Sequence, residues 1–163
     1  MPYFVTWKLS KDKIFEQKSS KYLCWIFVIL EIMKKVAKLV MIDPDNKYLI
    51  MFRSDHPTFG VDPDLPGGTL EDGETPVETM LREVREETGV IIDREDVREI
   101  YSGTDYSGHG THYALFVSNV KSRPEITMSW EHSSYVWLDR QAFLEKSKNA
   151  KDTFMYMVYD VLK

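Results

Sequence analysis

The sequence predicts an α/β domain in which a mixed β-sheet lies between helices. Three observations predict it. Aliphatic and β-branched runs flank turn residues, helical periodicity recurs three times, and helices do not alternate strictly with strands. A length of 163 residues suits one domain with room for an appendage. An apolar share of 43% supports a packed core and excludes a chain disordered throughout. A single Cys excludes a disulfide framework or a Cys-rich zinc site and fits a reducing compartment. With 21 Lys+Arg against 26 Asp+Glu the net charge is −5, which argues against an extended nucleic-acid-binding face. Small anionic ligands stay open if metal ions screen the charge.

Taken in order, Val36–Ile42 reads as a strand, Asp43-Pro44-Asp45-Asn46 as a turn, and Lys47–Arg53 as the returning strand of a hairpin. Residues 54–68, rich in Pro and Asp, read as a loop that ends in a tight turn at Gly67 and Gly68. Thr75–Thr88 is helical. Thr75 is its N-cap, Pro76 suits the first position, Glu78 completes a capping box, and Gly89 closes the C-terminus. Val97–Gly103 and Thr111–Val120 read as strands around a turn-rich segment, and Tyr135–Leu138 as a short strand. Asp139 caps a helix through about Lys146, and Asp152–Leu162 is a final amphipathic helix.

Charge divides the chain at Met33. Residues 1–32 carry +2 and residues 33–163 carry −7, so an appendage and a domain are expected. The appendage holds Cys24 and an apolar run, Tyr22–Leu30, of nine residues. A membrane span needs about 20. A secretory signal fits in outline, but no small-residue cleavage site follows. The expectation is an added element packed on the domain, or a segment upstream of a natural start at Met33. Membrane contact through residues 1–32 is not expected, and a cytoplasmic location is.

On a wheel of about 100° per residue, Val77, Leu81, Val84 and Thr88 share one stripe of the 75–88 helix. Glu83, Glu86 and Glu87 fall together on another face. Like charges at this spacing, near a helix C-terminus, destabilise the helix. A divalent cation with oxygen ligands offsets that cost.

These residues belong to a longer pattern. Gly68, Glu74, Arg82, Glu83, Val84, Glu86, Glu87, Gly89 and Val90 occupy every fixed position of G-x5-E-x7-R-E-U-x-E-E-x-G-U, with U aliphatic. The segment resembles the signature of the Nudix hydrolases, and Leu65-Pro66-Gly67-Gly68 resembles the family's lead-in. The resemblance implies an α/β/α sandwich that hydrolyses nucleoside diphosphate derivatives with Mg2+, or Mn2+ in its place. It implies metal ligation by Glu83, Glu86 and Glu87 and by the carbonyl of Gly67. Glu74 and Arg82 are implied to hold the loop on the helix, while Gly68 and Gly89 support the box. Glu131, six residues before Trp137, matches the family's distal ligand or base, and His132 resembles the base of a GDP-mannose-cleaving branch.

Substrate candidates are Arg53 for a phosphate and Phe52, Phe59, Tyr106, Tyr113 and Trp130 for a base or sugar. The ADP-ribose branch carries Pro fifteen residues after the box, where this chain has Asp105. The dinucleoside polyphosphate branch carries Tyr near Tyr106. A nucleoside triphosphate pyrophosphohydrolase of the MutT-like type is favoured. The alternatives are a dinucleoside polyphosphate or nucleotide-sugar hydrolase, or a non-catalytic nucleotide-binding module. The expected partner is a small nucleotide. A homodimer fits the family's habit, although no apolar stripe specifies one.

Overall fold

The computed structural model describes residues 33–54 and 60–163. The expectations for residues 1–32 and for Phe59 lie outside the described residues. Strands β1 (Lys35–Ile42), β2 (Tyr48–Arg53), β3 (Pro63–Asp64) and β4 (Gly67–Thr69) precede helix α1 (Pro76–Thr88). Then come β5 (Arg98–Gly103), β6 (His112–Asn119), β7 (His132–Leu138), α2 (Arg140–Asn149) and α3 (Thr153–Leu162). Among the described residues these strands form one mixed seven-stranded sheet, ordered β3-β2-β1-β6-β5, with β4 on β1 and β7 on β2.

The alternation of β1 builds the layers. Ala37, Leu39 and Met41 point to one face, where Met80 and Val84 of α1 pack on them. Val36, Val40 and Ile42 point to the other, where Phe143 of α2 and Phe154, Met155 and Val158 of α3 pack. The result is a sheet between helices. Lys38 shares the second face and is only 6% exposed, a buried charge in an otherwise apolar strand.

Residues 54–68, read as a loop, contain β3 and part of β4. The cause is a parting of the central hairpin. β1 and β2 share only the pair Ile42 and Tyr48. Beyond it, β4 pairs with β1 at Val36–Lys38, and β3 pairs with β2 at Met51 and Phe52. The segment 63–69 thus fills the gap between the strands, tied also by Leu39 N–H donating to Pro66 O at 2.9 Å. β7 begins at His132, three residues before the expected strand, because it follows β2 to Arg53 across an irregularity in register. α2 runs on to Asn149, past the expected end at Lys146.

Candidate active site

Helix α1 is fixed at both ends by its own sequence. Thr75 accepts from Glu78 N–H, Glu78 accepts from Thr75 N–H, and Pro76 opens the first turn. Gly89, at φ 71°, ends the helix with its N–H on Arg85 O. The buried positions are Thr79, Met80, Val84, Glu87 and Thr88. That face is rotated from the expected stripe, and Glu87 is on it rather than on the separate face expected for the three glutamates. Segment 63–69 covers Glu87, and Gly67 N–H donates to its Oε2 at 2.8 Å. Burial pushes the Glu87 carboxyl up to about 7, against the pull of Lys38 and His132.

Glu83 lies one turn earlier and faces the same Gly67–Gly68 turn. A β-carbon on Gly68 would meet Glu83 Oε1 at 2.5 Å. Arg82 holds Glu74 with two bonds, Nε to Oε1 at 2.8 Å and Nη2 to Oε2 at 3.0 Å. Its Nη1 reaches Glu83 at 2.8 Å and Glu86 at 3.3 Å. The Arg82 hydrogen bonds hold the Glu74 carboxyl down at about 2, and Glu74 in turn holds the Arg82 guanidinium charged. Glu74 also accepts from Thr79 Oγ1 and Glu71 N–H, so the loop before α1 is tied to the helix. Glu86 is largely exposed, with 60% of its side chain in solvent.

Glu83, Glu87 and the Gly67–Gly68 turn form one wall of a cleft of about 920 Å³. Glu131, Trp130 and Ser54 stand on its rim, where Ser54 N–H donates to Glu131 O at 2.8 Å. The floor is a charge network that sequence reasoning missed except for Arg53 and His132. Asp64 bonds Lys38 Nζ at 2.5 Å and Arg53 Nη2 at 2.9 Å, and Arg53 Nη2 also meets Asp152 at 2.9 Å. Burial opposes the Asp64 charge, but Lys38, His132 and Arg53 together hold its carboxyl well below the usual range. Asp152 caps α3 through Phe154 N–H, and Asp62 takes the N–H groups of Lys151 and Asp152. The signals were the charged Lys38 inside an apolar strand and the acid directly before Leu65-Pro66-Gly67-Gly68.

Other expected contacts fall elsewhere. Tyr106 donates to Asp160 of α3 at 2.5 Å and is not among the cleft-lining residues. Phe52 lines a separate shallow groove with Lys146. Tyr113 does line the cleft, packed edge-on against Phe154 at 5.0 Å. Among the described residues, no three carboxylate or imidazole side chains converge on one point. Glu83 is turned to Arg82 and Glu87 to Gly67, so joint ligation requires at least one to turn.

Fold and cleft together define an α/β sandwich domain whose acidic helix faces a glycine turn. A family model described as the NUDIX domain matches residues 33–157, and the chain belongs to the Nudix family. A stretch of 70 residues, 43% of this chain, is 40% identical to an ADP-ribose pyrophosphatase of Methanocaldococcus jannaschii and covers 41% of it. A stretch of 65 residues, 40% of this chain, is 37% identical to a MutT-like protein of Streptomyces ambofaciens and covers 40% of that. The chain thus spans about two fifths of the curated relatives it matches. Among solved structures, a Deinococcus radiodurans protein superposes with a TM-score of 0.66 at 22% identity, covering 79% of this chain and 83% of that one. That likeness is one of fold.

Proposed function

We propose that this chain hydrolyses the diphosphate linkage of a nucleotide or nucleoside diphosphate derivative with a divalent cation, Mg2+ or Mn2+. The observation that carries the reading is the meeting of Glu83, buried Glu87 and the Gly67–Gly68 turn on one cleft wall. The lining sets Asp64, Glu83, Glu87, Glu131 and Asp152 against Lys34, Lys38 and Arg53. Asp64 and Asp152 are already paired with Lys38 and Arg53, so an anionic substrate meets carboxylates unless cations accompany it. The donors fit such a cation. Glu83, Glu87, Glu131 and the Gly67 carbonyl are hard oxygen ligands, and Glu86 enters the set through the box it belongs to. A bound dication also reverses the penalty of burying the Glu87 charge.

When bound, the cation neutralises phosphate oxygens and acidifies water. Arg82 keeps Glu83 and Glu86 in place and keeps the loop carrying Gly67 against α1. Glu131, on the rim, takes the proton of the attacking water as the water oxygen bonds phosphorus and the bridging P–O bond breaks. The leaving phosphate takes that bonding pair. Tyr113 and the exposed Trp130 line the cleft and are the rings available to a base.

A nucleoside triphosphate is the favoured substrate, by the MutT-like relative and by Asp105 in place of Pro. ADP-ribose is the second reading, favoured by the name of the 40% identical relative. A nucleotide panel with Mg2+ or Mn2+, read by 31P NMR, separates them. A triphosphate yields a monophosphate and pyrophosphate, whereas ADP-ribose yields AMP and ribose 5-phosphate. Release of no phosphorus product from any substrate overturns the proposal.

Two variants test the roles. Glu131→Gln is expected to lower kcat by on the order of 100-fold, and a drop within threefold removes Glu131 as base. Arg82→Lys keeps the charge but loses the fork on Glu74. Cation affinity, titrated by calorimetry, is expected to fall about tenfold.

A further inference from the structure

His132 opens β7 and is 6% exposed. Both its ring nitrogens are buried without a hydrogen-bond partner. Buried polar groups in folded proteins are nearly always paired, so two orphans on one ring point to a missing occupant. The ring is aimed by a backbone feature. β7 pairs with β2 at Ser134 and then at His132, opposite Phe52 and Arg53, so the register slips past Ser133. The Ser133 hydroxyl donates to Phe52 O at 3.3 Å and to Arg53 O at 3.4 Å, and the slip turns His132 into the cleft. There Nδ1 lies 3.9 Å from Glu87 Oε1 and Nε2 lies 3.8 Å from Asp64 Oδ2. Both distances exceed a hydrogen bond.

We propose that His132 Nδ1 is a nitrogen ligand of the cation held at Glu87, oriented by Asp64 behind it. Two ligands on one ion, each about 2.1 Å away, stand about 3–4 Å apart, which spans the observed 3.9 Å between His132 Nδ1 and Glu87 Oε1. A ligating imidazole donates its other N–H to a carboxylate, and Asp64 stands on that side of the ring, 3.8 Å from Nε2. Lys38 and Arg53 hold Asp64 as the anion that role needs. The chemical consequence is selectivity. An all-oxygen set suits Mg2+, whereas an imidazole in the set favours a transition-metal ion over Mg2+. The inference rests on the proposed metal-dependent reaction and adds a donor to its site.

The test is made on the full chain loaded with Mn2+ alone. Pulsed EPR of wild type is expected to show a directly bound imidazole nitrogen, and the signal changes frequency when the protein carries 15N-histidine. That comparison needs no variant. His132→Ala is expected to lose the signal and about tenfold in Mn2+ affinity, with a smaller loss for Mg2+, while His109→Ala keeps both. Bound Mn2+ without histidine nitrogen coupling overturns the inference and leaves the hydrolase reading standing if the nucleotide panel is still turned over. Failure of wild type to bind Mn2+ overturns both.

Discussion

Glu87→Gln is expected to cut turnover by orders of magnitude and, in the metal-free protein at pH 8, to raise stability. The two effects have one source. Burial pushes the Glu87 carboxyl from 4.5 to about 7 in the fold. The folded state therefore binds that proton more tightly than the unfolded chain, and wild type loses stability as pH rises from about 4.5 through 7. The loss is complete above that window and amounts to about 3 kcal/mol. Gln cannot ionise, and its amide oxygen still accepts from Gly67 N–H. Urea titrations in EDTA are expected to show equal stability near pH 4.5 and a more stable variant at pH 8. A variant less stable than wild type at pH 8 would show that Glu87 is not an uncompensated buried charge. Turnover with Mg2+ is expected to fall by about 10²–10³-fold, and added cation is expected to stabilise wild type but not the variant.

Gly67→Ala is the largest expected loss of stability. At φ 134° the residue is in a region that side chains avoid. A β-carbon there would stand 2.3 Å from Ala37 O and 2.5 Å from Lys38 Cα, both backbone atoms of β1. Backbone cannot give way as a side-chain tip does, so β4 must leave β1. A cost on the order of 4 kcal/mol or more follows, with loss of the N–H that seats Glu87. Gly73→Ala is the control. It also has positive φ, at 87°, but a β-carbon there meets nothing within 4 Å, and only strain of about 1–2 kcal/mol is expected. Equal melting of the two variants would contradict the clash.

Features written in neighbouring residues were legible. Thr75, Pro76, Glu78 and Gly89 bound α1 because caps are local chemistry, and β1 is read from its apolar run. The glutamates were recognised by spacing. What could not be read depends on partners far along the chain. β3 and β4 are two and three residues long and exist only because β1 and β2 part. The wheel sets Glu87 apart from the buried stripe, since a wheel does not know that segment 63–69 will lie across it. Lys38 and Asp64 are 26 residues apart, and neither alone announces a pair. His132 lies outside the expected strand Tyr135–Leu138 because the start of β7 is set by its pairing with Arg53.

Asp152 has two duties that are usually separate. One carboxylate oxygen holds Phe154 N–H at the start of α3, and the other holds Arg53 on the cleft floor. The terminal helix and the cleft are therefore thermodynamically linked through a single side chain. If the proposed substrate's phosphate draws Arg53 away from Asp152, the carboxylate that caps α3 loses its ion-pair partner, and reciprocity then ties the order of that first turn to the hold on the phosphate. Through this carboxylate, the ten residues of α3 are joined to a cleft lined mainly by the first half of the domain.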